Sequence, residues 1–240
     1  MRVIVCDNYE KMSYEAARIF ASQIIIKPNS VLGLATGSTP IGLYNCLAKM
    51  YENGELDFSE VTTFNLDEYY PIAHENDQSY HYFMNENFFS KVNVPEDNIH
   101  IPDGSTDNPA LECKNYEKEI DRYRGIDLQI LGIGQNGHIG FNEPAEILEP
   151  NTHVTDLTQN TIEANSRFFE SIDLVPTKAI TMGIGSIMKS KKILLLASGS
   201  GKKEIVKKLL SSGIDTNIPA TMLKAHPDVT LICDREAYED

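Results

Sequence analysis

The chain has 240 residues, 41% hydrophobic and 23% charged, the composition of an ordinary globular protein with a sizeable core. A formal net charge of -14 argues against nucleic acid, whose phosphates it would repel, but local cations and helix N-termini still admit a small anionic substrate. No apolar run approaches the roughly 20 residues of a membrane span, and "MRVIVCDNYE" turns acidic too early for a signal peptide, so a cytoplasmic protein with no membrane partner is expected.

In chain order, "RVIVC" (2–6) reads as a strand and residues 10–26 carry apolar side chains at helical spacing. "SVLGLA" (30–35) is a strand, and a helix is expected from Pro40, with Thr39 as its N-cap. "VTTFNL" (61–66) is a strand; residues 78–92 and 110–123 are helical. Strands follow at 126–131, 179–184, 192–197 and 228–233, with helices near 162–170 and 201–211. This alternation predicts one α/β domain with a mostly parallel sheet covered by helices on both faces. Cys6, Cys46, Cys113 and Cys233 are scattered, without C-x-x-C or zinc spacing, and read as reduced, partly buried thiols.

In such sheets ligands collect beyond the carboxyl ends of the strands. Four strand ends carry chemistry. "LATGSTP" (34–40) places Gly37, Ser38 and Thr39 where backbone N–H groups can meet an anion, or merely form a capped turn; no G-K-[ST] of a Walker loop follows. "FNLDEYY" (64–70) sets Asp67 and Glu68 among aromatics, where partial burial makes a carboxylate a better base. "GIGQNGHIGFNEP" (132–144) contains G-x-G-x-x-G, yet Pro144 and Pro150 forbid the helix a dinucleotide fingerprint needs after its third glycine. What remains is a glycine-relaxed loop with Asn136, His138 and Glu143, an acid–base device. "LASGSGKKE" (196–204) repeats the first turn and places Lys202 at a helix start. Upstream, Arg167 in "ANSRFF" has the fork of donors suited to a phosphate, or to a surface salt bridge.

Taken together, "GLATGSTP", "TFNLDEYY", "GIGQNGHIGFNEP", "ANSRFF" and "GSGK" resemble the glucosamine-6-phosphate deaminase family in order and approximate spacing, over essentially the whole chain. The resemblance implies a modified Rossmann-like sheet. It also implies conversion of glucosamine 6-phosphate and water to fructose 6-phosphate and ammonia in amino-sugar catabolism, with no metal or organic cofactor. By the same resemblance Asp67 is the base that moves a proton from C2 to C1. His138 opens the sugar ring, oriented by Glu143 and Asn136, and Gly37, Ser38, Thr39, Arg167 and Lys202 hold the 6-phosphate. Residues from about 150 to 176 resemble a mobile lid. Many family members have Asp where this chain has Asn136, so Glu143 is expected to carry the electrostatic load on the imidazole.

Longer, allosterically activated hexamers of the family continue past the last strand and carry cations after the "FNEP" block. Here "AEILEPNTHVTD" (145–156) has neither Lys nor Arg, so an unregulated monomer or small homo-oligomer is expected. The rival readings are a 6-phosphogluconolactonase, which needs no enolisation carboxylate, a sugar-phosphate isomerase and a sugar-phosphate sensor. A nicotinamide dehydrogenase rests on the glycine triplet alone.

Overall fold

The computed structural model describes residues 1–158 and 175–238. The helix expected near 162–170, Arg167 and most of the expected lid therefore lie outside the described residues. The strands are β1 (Arg2–Cys6), β2 (Val31–Leu34), β3 (Thr62–Asn65), β4 (Asp67–Tyr70), β5 (Ile99–His100), β6 (Leu128–Gly132), β7 (His153–Asp156), β8 (Lys178–Thr181), β9 (Ile193–Ala197) and β10 (Val229–Asp234). The described α-helices are α1 (Tyr9–Ile26), α2 (Ile41–Glu52), α3 (Tyr80–Asn87), α4 (Pro109–Arg122), α5 (Ile184–Met188), α6 (Lys203–Ser211) and α7 (Arg235–Tyr238).

Seven strands form one sheet in the order β1-β10-β9-β6-β2-β3-β5, and every neighbouring pair is parallel. Successive residues of a strand point to opposite faces. Ile193 to Ala197 are each no more than 3% exposed, so both faces of the sheet are covered there. After β2 the chain winds outward through β3 to β5. It returns as β6 on the other side of β2 and winds through β9 to β10, beside β1. The topological switch point is thus the gap between β2 and β6, where ligands of open α/β sheets bind.

Three expectations are corrected. The strand expected at 179–184 is Lys178–Thr181, and it leaves the parallel sheet to become the centre of a small antiparallel one, β4-β8-β7. Its partners are Asp67–Tyr70 and His153–Asp156, contacts too distant in sequence for periodicity to reveal. The helix expected over 78–92 is capped by Ser79, whose hydroxyl accepts the Tyr82 N–H, and stops at Asn87; a separate 3₁₀ turn covers Phe89–Lys91. Thr39 does not cap α2. Pro40 occupies the cap position in a helical conformation without a side-chain bond, and the Gly42 N–H is instead accepted by Tyr9 Oη at 2.8 Å.

The end of the sheet remote from these loops is tied by one buried carboxylate. Asp127 accepts Lys27 Nζ at 2.5 Å, Lys191 Nζ at 2.7 Å and the Val31 N–H at 2.8 Å. Burial alone would raise its pKa, but the bonds from Lys191, Lys27 and Val31 together hold it below the ordinary aspartate value. The two lysines are partly exposed, so their ion pairs are screened and most of the stabilisation comes from the buried bond of the Val31 N–H to the carboxylate. Asp127→Ala is expected to cost about 2 kcal/mol, a fall in Tm of about 4–8 °C. Because the folded pKa is lowered, this contribution is full at neutral pH and lost as pH falls through the folded value. A variant that melts like the wild type at pH 7 contradicts this account.

Candidate active site

Four loops meet beyond the carboxyl ends of β2, β3, β6 and β9. The glycines after β6 answer the question that G-x-G-x-x-G poses. A Cβ on Gly134 would lie 2.3 Å from Cε1 and 2.4 Å from Nδ1 of His138, so the imidazole rests on the bare Gly134 backbone. The Gly134 N–H donates to His138 O at 2.9 Å, and the Gly137 N–H to Gly134 O at 3.0 Å, closing the loop on itself. Gly137 has φ +91°, a left-handed conformation that favours glycine. These glycines seat a histidine, not a pyrophosphate.

Residues 138–143 form no helix, as Pro144 requires. Nδ1 of His138 lies 3.2 Å from Glu143 Oε1, an ion-pair distance without the alignment of a good hydrogen bond. Asn136 acts differently from expectation. Its amide does not touch the imidazole: Nδ2 donates to Glu143 Oε2 at 2.6 Å, and Oδ1 accepts the His138 backbone N–H at 3.2 Å. Asn136 therefore orients the carboxylate that faces the ring. Burial favours a protonated Glu143, but His138 and Asn136 outweigh it and hold its pKa below the ordinary glutamate value.

Asp67 opens β4, directly after the carboxyl end of β3, and is only 6% exposed. Burial first, and the neighbouring Glu68 second, push its pKa up to about 8. Glu68 is fully buried. It accepts the N–H groups of Tyr69 and Tyr80 at 2.8 Å and of His81 at 2.9 Å, which ties β4 to the start of α3. Burial raises the Glu68 pKa to about 7 against the pull of those amides.

The histidine loop closes over Asp67. Gly140 has φ +57°, and a Cβ there would lie 3.4 Å from Asp67 Oδ2 and 3.0 Å from Thr181 Oγ1. Thr181, the register partner of Asp67, accepts the Phe141 N–H at 3.1 Å. Asn142 Nδ2 donates to Ile139 O at 2.9 Å and Met182 O at 2.8 Å. Sequence reasoning missed Thr181, Asn142 and the anchoring by Glu68, because each depends on a partner remote in the chain.

The two glycine–hydroxyl turns flank this centre. Gly37 has φ +90°, and among the described residues no bond engages the N–H groups of Gly37, Ser38 or Thr39. After β9, Lys202 ends a 3₁₀ turn, Ser200–Lys202, that leads into α6. Its ammonium has no partner among the described residues, and burial holds its pKa below the ordinary lysine value. A Cβ on Gly201 would lie 3.1 Å from Gln135 Nε2, so this turn abuts the histidine loop. The structure thus gathers Gly37, Ser38, Thr39, Asp67, Asn136, His138, Glu143 and Lys202 at one end of the sheet.

A family model described as glucosamine-6-phosphate isomerases/6-phosphogluconolactonase matches residues 9–232. A glucosamine-6-phosphate deaminase of Halothermothrix orenii is 59% identical over 237 residues, covering 99% of this chain and 98% of its own. That of Thermoanaerobacter pseudethanolicus is 58% identical over 99% of this chain and 94% of its own. A solved monomeric glucosamine-6-phosphate deaminase superposes with a TM-score of 0.96 at 48% identity, covering 99% of this chain and 98% of that one. A solved 6-phosphogluconolactonase of Thermotoga maritima gives 0.75 at 23% identity over 97% and 99% of the two chains, a likeness of fold alone.

Proposed function

The chain belongs to the family of glucosamine-6-phosphate isomerases and 6-phosphogluconolactonases, and on that premise we propose that it converts glucosamine 6-phosphate and water to fructose 6-phosphate and ammonia. Deaminases 58–59% identical over nearly the whole chain support this. The observation that carries it is Asp67, a buried carboxylate of raised pKa lying under Gly140 of the histidine loop. Lactone hydrolysis needs a base that activates water. Moving a proton between two adjacent carbons needs a carboxylate sheltered from water on the face of the substrate.

In this reading the 6-phosphate binds the N–H groups of Gly37, Ser38 and Thr39, the ammonium of Lys202 and the guanidinium of Arg167. His138, faced by Glu143, takes the proton from O1 and delivers it to O5, which opens the ring. Ionised Asp67 removes the proton from C2, leaving a planar enolamine, and returns it to C1 on the same face. Water adds to the resulting C2 imine, and ammonia departs to leave the ketone. Asn136 keeps Glu143 turned toward the imidazole throughout. The segment expected as a lid, about 150 to 176 and mostly outside the described residues, is proposed to exclude water from the enolamine.

The protein acts as a single catalytic unit, monomeric or in a small homo-oligomer, in the amino-sugar catabolism of the cytoplasm. The loop after Pro144 offers no Lys or Arg to an activator's phosphate. The purified protein is expected to release ammonia from glucosamine 6-phosphate along a hyperbolic substrate curve and to leave 6-phosphogluconolactone at its spontaneous rate of hydrolysis. Catalysed lactone hydrolysis without ammonia release overturns the reading. A sigmoidal curve contradicts the unregulated form.

A further inference from the structure

The two turns assigned to the phosphate are each held from behind by a side chain with no part in the chemistry. On α1, Tyr9 Oη lies 3.1 Å from Ser38 O and 3.2 Å from Thr39 O, so one hydroxyl proton is shared between the two carbonyls. The same oxygen accepts the Gly42 N–H at 2.8 Å, joining the turn to the first residues of α2. This approach needs a glycine. A Cβ on Gly42 would lie 3.0 Å from Tyr9 Cε1 and 2.3 Å from Ser13 Oγ. In a trans peptide the C=O and N–H point in opposite directions. Fixing Ser38 O toward Tyr9 therefore aims the Thr39 N–H the other way, away from α1.

The second turn has a counterpart. Asp234 ends β10, is 3% exposed, and accepts the Ser198 hydroxyl in a short hydrogen bond. Both of its carboxylate oxygens lie 3.0 Å from the Gly199 N, and Oδ1 accepts the Ala237 N–H at 2.9 Å. Gly199 has φ +84°, and its carbonyl accepts the Lys202 N–H at 3.0 Å. The chain of contacts thus runs from Asp234 through Gly199 to the residue bearing the ammonium.

We propose that Tyr9 and Asp234 are positioning residues for the phosphorylated end of the substrate, Tyr9 by holding the 37–39 turn and Asp234 by holding the 198–202 turn. The inference rests on the phosphate site proposed above. It predicts a division of labour: loosening either clamp weakens binding and leaves the proton transfers at Asp67 and His138 alone. Tyr9→Phe removes only the hydroxyl, and Ser198→Ala removes one donor to Asp234 without changing charge, so neither confuses a lost clamp with a changed field at the anion.

The test measures kcat and KM for glucosamine 6-phosphate, competitive inhibition by inorganic phosphate, and melting temperature, for wild type, Tyr9→Phe, Ser198→Ala and Lys202→Ala. Each clamp variant is expected to raise KM and the phosphate inhibition constant together, by about three- to tenfold, with kcat within about twofold of wild type. A lowered melting temperature with KM and phosphate inhibition unmoved makes the clamps merely structural and overturns the inference, as does a fall in kcat at constant KM. Lys202→Ala separates the two failures. If it weakens phosphate while the clamp variants do not, the clamps alone are wrong. If it leaves phosphate inhibition unchanged, or the wild type is not inhibited at all, the phosphate site itself was misassigned. Asp234→Asn is a fourth variant should Ser198→Ala fold poorly: losing a negative charge near the anion by itself favours phosphate, so a joint rise of both constants against that trend supports the clamp, and constants that stay level or fall overturn it.

Discussion

Asp67→Asn is expected to lower kcat by about 10²–10⁴-fold, as loss of a positioned base does, and to leave the fold intact. Asn keeps the shape of the side chain and removes a carboxyl that is buried beside another, so the melting temperature is expected to stay level or rise. The wild-type pH profile carries the same signature. The base works only when ionised, and burial with Glu68 beside it raises its pKa to about 8. Activity is therefore expected to climb with pH through about 8 and to be lost as pH falls below that value. Full activity down to about pH 6, or an active Asp67→Asn variant, contradicts the assignment of the base.

The second large effect falls on the ring-opening pair. His138→Ala is expected to cost about 10²-fold or more in kcat. Glu143→Gln, which keeps a contact to Asn136 but no charge toward the imidazole, is expected to cost about ten- to a hundredfold. If Glu143 acts through His138, the double variant is little worse than His138→Ala alone, because groups acting as a unit are not additive. A multiplicative loss in the double variant contradicts the pairing and gives Glu143 an independent role. Thermal melts of all three proteins are the check that unfolding is not the cause.

Much of the architecture is legible in the sequence. Apolar runs such as "ILLLA" alternate with segments of helical spacing, and that alternation announces a mostly parallel sheet covered on both faces. Pro144 and Pro150 suffice to reject a dinucleotide loop, since no helix of useful length can follow the third glycine. What the glycines do instead was not legible. That Gly134 gives up its side-chain space to the His138 ring, and Gly140 to Asp67 and Thr181, depends on how the loop folds back. Thr181 reads as an ordinary strand residue and reaches Asp67 only through an antiparallel pairing that local pattern does not encode. The capping role given to Thr39 failed for a similar reason: the Gly42 amide finds its acceptor in Tyr9, on another helix. That Asn136 bonds the His138 backbone and the Glu143 carboxylate, and not the ring itself, is not legible in the sequence, because residue order does not say which of these groups an amide meets. Arg167 remains a proposal on sequence grounds, outside the described residues.

The most direct measurement follows the proton that Asp67 is assigned to move. Glucosamine 6-phosphate deuterated at C2 is turned over by wild type and by Asp67→Asn while NMR records the label and a coupled assay records ammonia. The account predicts that in the wild type the label leaves C2 for C1 or solvent in step with ammonia and fructose 6-phosphate, and that the substitution slows all of these together. Ammonia release with deuterium retained at C2, or label leaving C2 at an undiminished rate in Asp67→Asn, contradicts it.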